Sequence, residues 1–155
     1  MGNRTVKIEH RPTDDHDLGV LLSAAVDELN ERYPDDPSDR YLDPRADFLL
    51  ASIAGYPAGC IGIAPVDGQV AEMKRMYVAP TYRVRGIAQR LVLGLEEHAL
   101  GHRIRKIRLE TGIRQPEVIA LYEKLGYRPT APYGQYVTNP FSRCFEKHLE
   151  TSNAT

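Results

Sequence analysis

Three features of the chain predict a mixed α/β domain. Short runs of alternating apolar and polar residues recur between longer stretches whose apolar residues fall three and four apart, the periods of strand and helix. Their order, βα–βββ–α–β–α–β, suits one mixed sheet flanked by helices. One strand-like run, "VAEMKRMYV", breaks its own alternation midway. At 155 residues the chain has the length of a single domain, expected to span 1–155, and enough sequence to bury a core.

The elements follow in order. "TVKIEH" sets Val6 and Ile8 in alternation, a short strand. Leu18, Leu21, Leu22, Ala25, Leu29 and Tyr33 then form one helical stripe, with Thr13 or Asp14 offered as its cap and Pro34 as its stop. "DDPSDRYLDPRAD" is a polar, proline-broken connection. "FLLASI" and "GCIGIAPV", joined by "AGYPA", make a hairpin, and "DGQ" turns the chain into "VAEMKRMYVAP".

In that last strand Met73 and Met76 both look core-facing, yet residues three apart point to opposite sides of a regular strand. A β-bulge near Lys74 and Arg75 restores the parity. It also leaves backbone N–H groups unpaired and bends the strand from its neighbour, so a ligand can enter. The alternative is an ordinary edge strand. Downstream, Ile87, Ala88, Leu91, Val92, Leu95 and Ala99 make the buried face of a helix, and "KIRLET" alternates as a strand. "QPEVIALYEKLG" is a helix with Pro116 in its first turn and Gly126 at its end. "SRCFEKHL" is the last strand.

Composition narrows the function. Twenty Lys and Arg against 21 Asp and Glu, net −1, argue against broad nucleic-acid binding, which needs a basic face. The fractions of 42% hydrophobic and 26% charged residues are those of a soluble globular protein. "MGNRTVKIEH" lacks the apolar core of a secretory signal, and Val6 stands where an N-terminal lipidation motif needs Ser or Thr. No window approaches the 18 apolar residues of a membrane span, so a cytoplasmic location without membrane attachment is expected. Cys60 and Cys144, in strand-like surroundings, are expected as buried free thiols. His98, His102 and His148 lack a ligand-like arrangement, and no metal is expected.

Chemistry concentrates where a basic loop becomes a helix. Arg83 and Arg85 beside Gly86 are either a solvated helix entrance or an anion site, since the free N–H groups of a first helical turn favour phosphate. Arg83-x-x-Gly86-x-Ala88 resembles the R/Q-x-x-G-x-G/A signature of the GNAT superfamily of acetyl-CoA-dependent N-acetyltransferases. "ALYEKLGY", Ala120 to Tyr127, resembles that family's A-x-x-L-Y-x-K-x-G-F/Y helix. The loop motif alone is weak; both motifs in this order, with a strand between them, are specific. The resemblance runs from about Phe48 to Lys147, and the aromatic ending "PYGQYVTNPFSRCFEK" is similar to that of a bacterial subgroup.

The resemblance implies a GNAT fold with a splayed, bulged strand. It also implies acetyl transfer from acetyl-CoA to a primary amine, a small molecule or a peptide, by direct attack without a covalent enzyme intermediate. By the same resemblance the amides of Arg85, Gly86, Ile87 and Ala88 hold the coenzyme pyrophosphate, with Arg83 and Arg85 adding charge. Backbone groups of Met76, Tyr77 and Val78 pair with the pantetheine arm and polarise the thioester. Gln115 bonds that arm or caps a helix. Tyr122 protonates the departing thiolate, the alternative being a core tyrosine. Glu72 is the candidate base and Glu110 its partner or an acceptor ligand, unless both are ion-paired carboxylates, with Lys74 and Arg75 at hand. Tyr133 and Tyr136 wall the acceptor pocket or pack over the sheet edge. The family often forms dimers, so a homodimer is a further expectation. Val84 departs from the pattern, which often has Gly there. Transfer of another acyl group, or a non-catalytic acyl-CoA-binding module, are the rival readings.

Overall fold

The computed structural model describes residues 5–36 and 43–150. Part of the proline-broken connection, and Gly2, lie outside them. The elements are β1 (Val6–Arg11), α1 (His16–Arg32), β2 (Asp47–Ile53), β3 (Tyr56–Pro65), β4 (Val70–Val78), α2 (Ile87–Gly101), β5 (Lys106–Gly112), α3 (Pro116–Lys124), β6 (Arg128–Thr130) and β7 (Ser142–His148). The strands form one sheet in the order β1-β2-β3-β4-β5-β7-β6. Every neighbouring pair is antiparallel except β4 with β5.

Apolar residues alternate across this sheet and bury both faces. Leu18, Leu21 and Ala25 of α1 pack with Phe48, Leu50, Cys60 and Tyr77 on one side. Ile87, Leu91, Val92 and Leu95 of α2 pack with Leu49, Ile61, Met73, Ile107 and Leu109 on the other. Tyr122 of α3 is buried in that second cluster. Both cysteines are buried free thiols, and burial pushes the Cys60 thiol up to about 12.

Local chemistry explains the differences from the sequence reading. Asp15, not Thr13 or Asp14, caps α1, its carboxylate accepting from the Leu18 amide at 3.0 Å. The β2–β3 turn is only Ala54-Gly55, both in the left-handed region with φ of 52° and 83°, as a two-residue hairpin turn requires. Tyr56 and Pro57 therefore belong to β3, with a register shift between Ala51 and Ser52 opposite Pro57. The end of α3 is a Schellman motif, with Tyr127 N to Tyr122 O at 2.9 Å and Gly126 N to Glu123 O at 3.1 Å. Strand β6 was not anticipated, because three residues including Pro129 carry no alternation.

The parity fault in β4 is a bulge. Cys60 pairs with Tyr77 and Gly62 with Lys74, so Ile61 alone faces both Arg75 and Met76. Arg75 sits at φ 53°. Met76 consequently packs on the same cluster as Met73, while Tyr77 turns to the α1 side.

Candidate active site

Strands β4 and β5 pair only from Val70↔Lys106 to Glu72↔Arg108, although β4 continues to Val78 and β5 to Gly112. Beyond Glu72 the sheet therefore splits. Two cavities occupy the split and meet at Met76, Gln115 and Val118, which line both.

The larger cavity, about 600 Å³, runs between β4, the loop before α2 and α3. It has the volume of a pocket for an extended ligand. Gly86 and Ile87 open its helix end. Gly86 precedes α2 at φ 78°, without any side-chain cap. The first helical bond runs from Arg90 N to Gly86 O at 3.1 Å, so the amides of Ile87, Ala88 and Gln89 have no helical carbonyl to meet. A Cβ added at Gly86 would meet nothing within 4 Å, so the space beside this residue is open. Arg85 is exposed, its guanidinium 5.7 Å from the Tyr82 ring centroid. Free amides, the positive end of the helix and an open front fit a pyrophosphate.

Arg83, expected to add charge at the pyrophosphate, lines the same cavity and is held by partners within the protein. Its Nη2 pairs with Glu28 Oε1 at 2.6 Å and its Nε donates to the Val78 carbonyl at 2.8 Å. The guanidinium also stacks over Tyr77. Arg83 thus ties the loop to α1 and β4, and Glu28 balances its charge. Glu28 lies 55 residues away in the chain, so the local motif gave no sign of it.

The smaller cavity, about 140 Å³, carries the candidate catalytic groups, Tyr122, Glu72 and Glu110. Tyr122 is 4% exposed, and burial, then Glu110, push its phenol well above the usual range. The Tyr127 ring meets it edge to face at 5.7 Å between centroids. Glu110 Oε2 accepts from the Ser142 hydroxyl at 2.7 Å. Glu72 is ion-paired, with Lys74 Nζ at 3.2 Å and Arg108 Nη2 at 3.8 Å; Lys74 was an expected partner and Arg108 is a further one. Gln115 is the N-cap residue of α3, but its side chain does not cap the helix. Its Oε1 accepts from the Gly112 amide at 3.3 Å, holding the β5–α3 turn at the junction of the cavities.

The two tyrosines of the long link meet edge to face, 5.5 Å between centroids, but line different cavities. Tyr136 walls the smaller cavity, whereas Tyr133 lies under the Arg108 guanidinium, 3.9 Å from its ring centroid. The wall nearest α1 was not foreseen. Tyr33 is buried, its hydroxyl accepts from the Arg114 amide at 2.9 Å, and Arg114 Nη1 donates to the Arg32 carbonyl at 2.6 Å. Tyr33 looked like the last residue of a core stripe, and nothing in the sequence distinguished it. Among the described residues there is no group of three or more His, Cys, Asp or Glu placed to hold a metal, and no helix long and apolar enough to cross a membrane.

Comparison with known proteins places this geometry. The acetyltransferase (GNAT) family model matches residues 17–127. An IAA acetyltransferase of Azospirillum brasilense is 38% identical over 141 residues, 86% of this chain and 92% of that protein. The uncharacterized N-acetyltransferase YjgM of Escherichia coli (strain K12) is 34% identical over 90 residues, 56% of this chain and 54% of its own. A structure from Klebsiella pneumoniae, described as an acyl-CoA N-acyltransferase, superposes with a TM-score of 0.81 at 30% identity, covering 94% of this chain and 99% of that one. A GNAT family acetyltransferase from Elizabethkingia anophelis, solved with acetyl-CoA bound, shares the fold at a TM-score of 0.71 and 20% identity, covering 93% and 98%. The chain belongs to the GNAT family of acetyltransferases, enzymes that use acetyl-CoA as co-substrate.

Proposed function

We propose that the protein transfers the acetyl group to a primary amine by direct attack, with Tyr122 as general acid and Glu110 and Glu72 as the carboxylates that receive the acceptor's ammonium. The observation that carries this reading is the junction of the two cavities at Met76, Gln115 and Val118, with Tyr122 in the wall of the smaller one. A thioester reaching through the larger cavity meets an amine from the smaller one there.

The first turn of α2, with Arg85, holds the pyrophosphate. The edge of β4 at Met76–Val78, which β5 does not cover, aligns the pantetheine arm, and an amide of this fixed strand polarises the thioester carbonyl. Such a donor contributes most when it is held before reaction begins. When bound, acetyl-CoA supplies the activated acetyl group and a thiolate leaving group.

Glu110 is the carboxylate nearer the chemistry in this reading, since its field reaches Tyr122 and it accepts a hydrogen bond from the Ser142 hydroxyl. Glu72, clasped by Lys74 and Arg108, takes the proton onward. Tyr122 enters the reaction protonated, because burial raises its pKa. The same desolvation raises the proton affinity of a thiolate formed beside it, so donation from the phenol is matched to the need. The amide nitrogen's surplus proton restores the phenol.

A panel of amino acids, polyamines, aminoglycosides and short peptides, assayed for thiol release from acetyl-CoA, tests the reading. Turnover with at least one primary amine is expected. Tight coenzyme binding without turnover of any amine would instead leave a binding module.

A further inference from the structure

The acceptor cavity carries charges of both signs, and the opening of the sheet arranges them. Glu72 and Arg108 are the last register partners of β4 and β5, and their side chains meet at 3.8 Å, so both stand on one face of the sheet. Strand side chains alternate, which makes Lys74 on β4 and Glu110 on β5 the next residues on that face. Both line the cavity, and between them the strands no longer pair. A base and an acid therefore stand on the two walls of the split.

Their neighbours differ. Lys74 Nζ leans back to Glu72, 3.2 Å away, and Glu72 also meets Arg108, so two cations share that carboxylate. Glu110 accepts from the Ser142 hydroxyl of β7. Arg75, the bulge residue, adds a cation to the lining, and Asp36, which accepts from Asn139 Nδ2 at 2.8 Å, adds a carboxylate. Among the described residues, Asp36, Glu72 and Glu110 thus face Lys74, Arg75 and Arg108, and their charges cancel.

Such a site selects by charge pattern rather than by net charge. A polyamine or an aminoglycoside brings several positive charges and sets some of them against Lys74 and Arg75, and like-charge contact disfavours a partner. A molecule with one ammonium and one carboxylate complements both walls. Volume points the same way. The cavity holds about 140 Å³, and one of about 150 Å³ takes a benzene-sized molecule. Alanine and serine are of that size, whereas a larger acceptor extends beyond the cavity.

We propose that the acceptor is a small free α-amino acid, its ammonium received by Glu110 and its carboxylate by Lys74, with Arg75 beside it on the bulge. This names the substrate of the acetyltransferase reading above and rests on it. One proton of the ammonium goes to Glu110 before attack. The C–N bond then forms as the C–S bond breaks, the thiolate takes the proton of Tyr122, and the nitrogen's second proton restores the phenol. The N-acetylated product has lost its positive charge and with it the attraction to Glu110, which favours release.

Thiol release from acetyl-CoA by the full chain at neutral pH tests the proposal, with each small amino acid run beside its α-amide. The amide keeps the amine and the side chain and lacks only the carboxylate. Since the amide's amine is the less basic and arrives deprotonated more often, a preference for the free acid arises in the pocket. kcat/KM should be about ten- to hundredfold higher for the acid, the effect of one or two hydrogen bonds to a charged group. Lys74→Gln should erase that preference by raising KM for the acid, and Lys74→Arg should restore most of it. Any effect of the substitution on Glu72 acts on both substrates and cancels in the ratio, and unchanged acetyl-CoA affinity would show that the variants fold. Amides used as well as the free acids, as a peptide N-terminus would be, would overturn the proposal while leaving the acetyltransferase reading intact. So would turnover confined to polyamines or aminoglycosides, or a preference that survives Lys74→Gln. Absence of turnover by the parent with every amine would remove that reading and the proposal with it.

Discussion

Val84 holds a left-handed backbone, φ 63°, and is fully exposed in the loop before α2. A β-branched residue there is a true outlier, at a position where the family's sequence pattern often has glycine. Left-handed backbone costs an L-residue about 1–2 kcal/mol, against about 0.5–1 kcal/mol for the extra freedom that glycine loses on folding. Val84→Gly should therefore stabilise the fold by up to about 1.5 kcal/mol, seen as a higher urea midpoint at unchanged slope. A lower midpoint would show that the valine is not strained. The departure of Val84 from the pattern was legible in the sequence; the engagement of the neighbouring Arg83 was not. A motif says which residues approach a ligand, but Arg83's charge is balanced by Glu28 on α1, a contact created only by tertiary packing.

The bulge of β4 is the element that the sequence displayed most clearly. Side chains on a strand alternate strictly, so two core-facing methionines three apart demand an extra residue between them, and Arg75 supplies it. The junction between α1 and the β5–α3 turn was invisible by contrast, because it rests on Tyr33, Arg114 and Phe141, drawn from three distant segments. Gly112 lies directly under Tyr33, and a Cβ there would run into the Tyr33 ring and hydroxyl. Gly112→Ala should destabilise by about 1–3 kcal/mol, the usual cost of overpacking, and push the last turn of α1 outward. Since Tyr33 and Gly112 wall the acceptor cavity but not the coenzyme cleft, KM for the amine should rise while acetyl-CoA affinity stays near the parent's. Equal losses for both substrates, in steady-state kinetics, would show that the turn does not shape the acceptor side selectively.

Across the whole molecule, burial holds tyrosines in their neutral form. Tyr33, Tyr77, Tyr122, Tyr127, Tyr133 and Tyr136 are all raised above the ordinary value of 10.0, in each case chiefly by desolvation. Because the folded chain keeps these protons more tightly than the unfolded chain, their contribution to stability is complete below pH 10 and erodes as pH climbs from 10 toward the folded values. Melting temperature should fall above pH 10, with most tyrosinate absorbance appearing only as the protein unfolds; smooth ionisation of these residues in the folded state would contradict their burial. The fold and the family were readable in advance because they depend on short-range periods and two local motifs. The acceptor half depends on which side chains a split sheet brings together, and no spacing encodes that. Tyr122 lines the smaller of the two cavities, and its phenol is the sharpest point of test. Thiol release from acetyl-CoA, measured on Tyr122→Phe beside the parent with the best amine of the panel, should fall about 10²- to 10⁴-fold while acetyl-CoA affinity and melting temperature hold. Near-normal turnover, or a loss that tracks a collapse in stability, would return Tyr122 to the core and contradict its role as the acid.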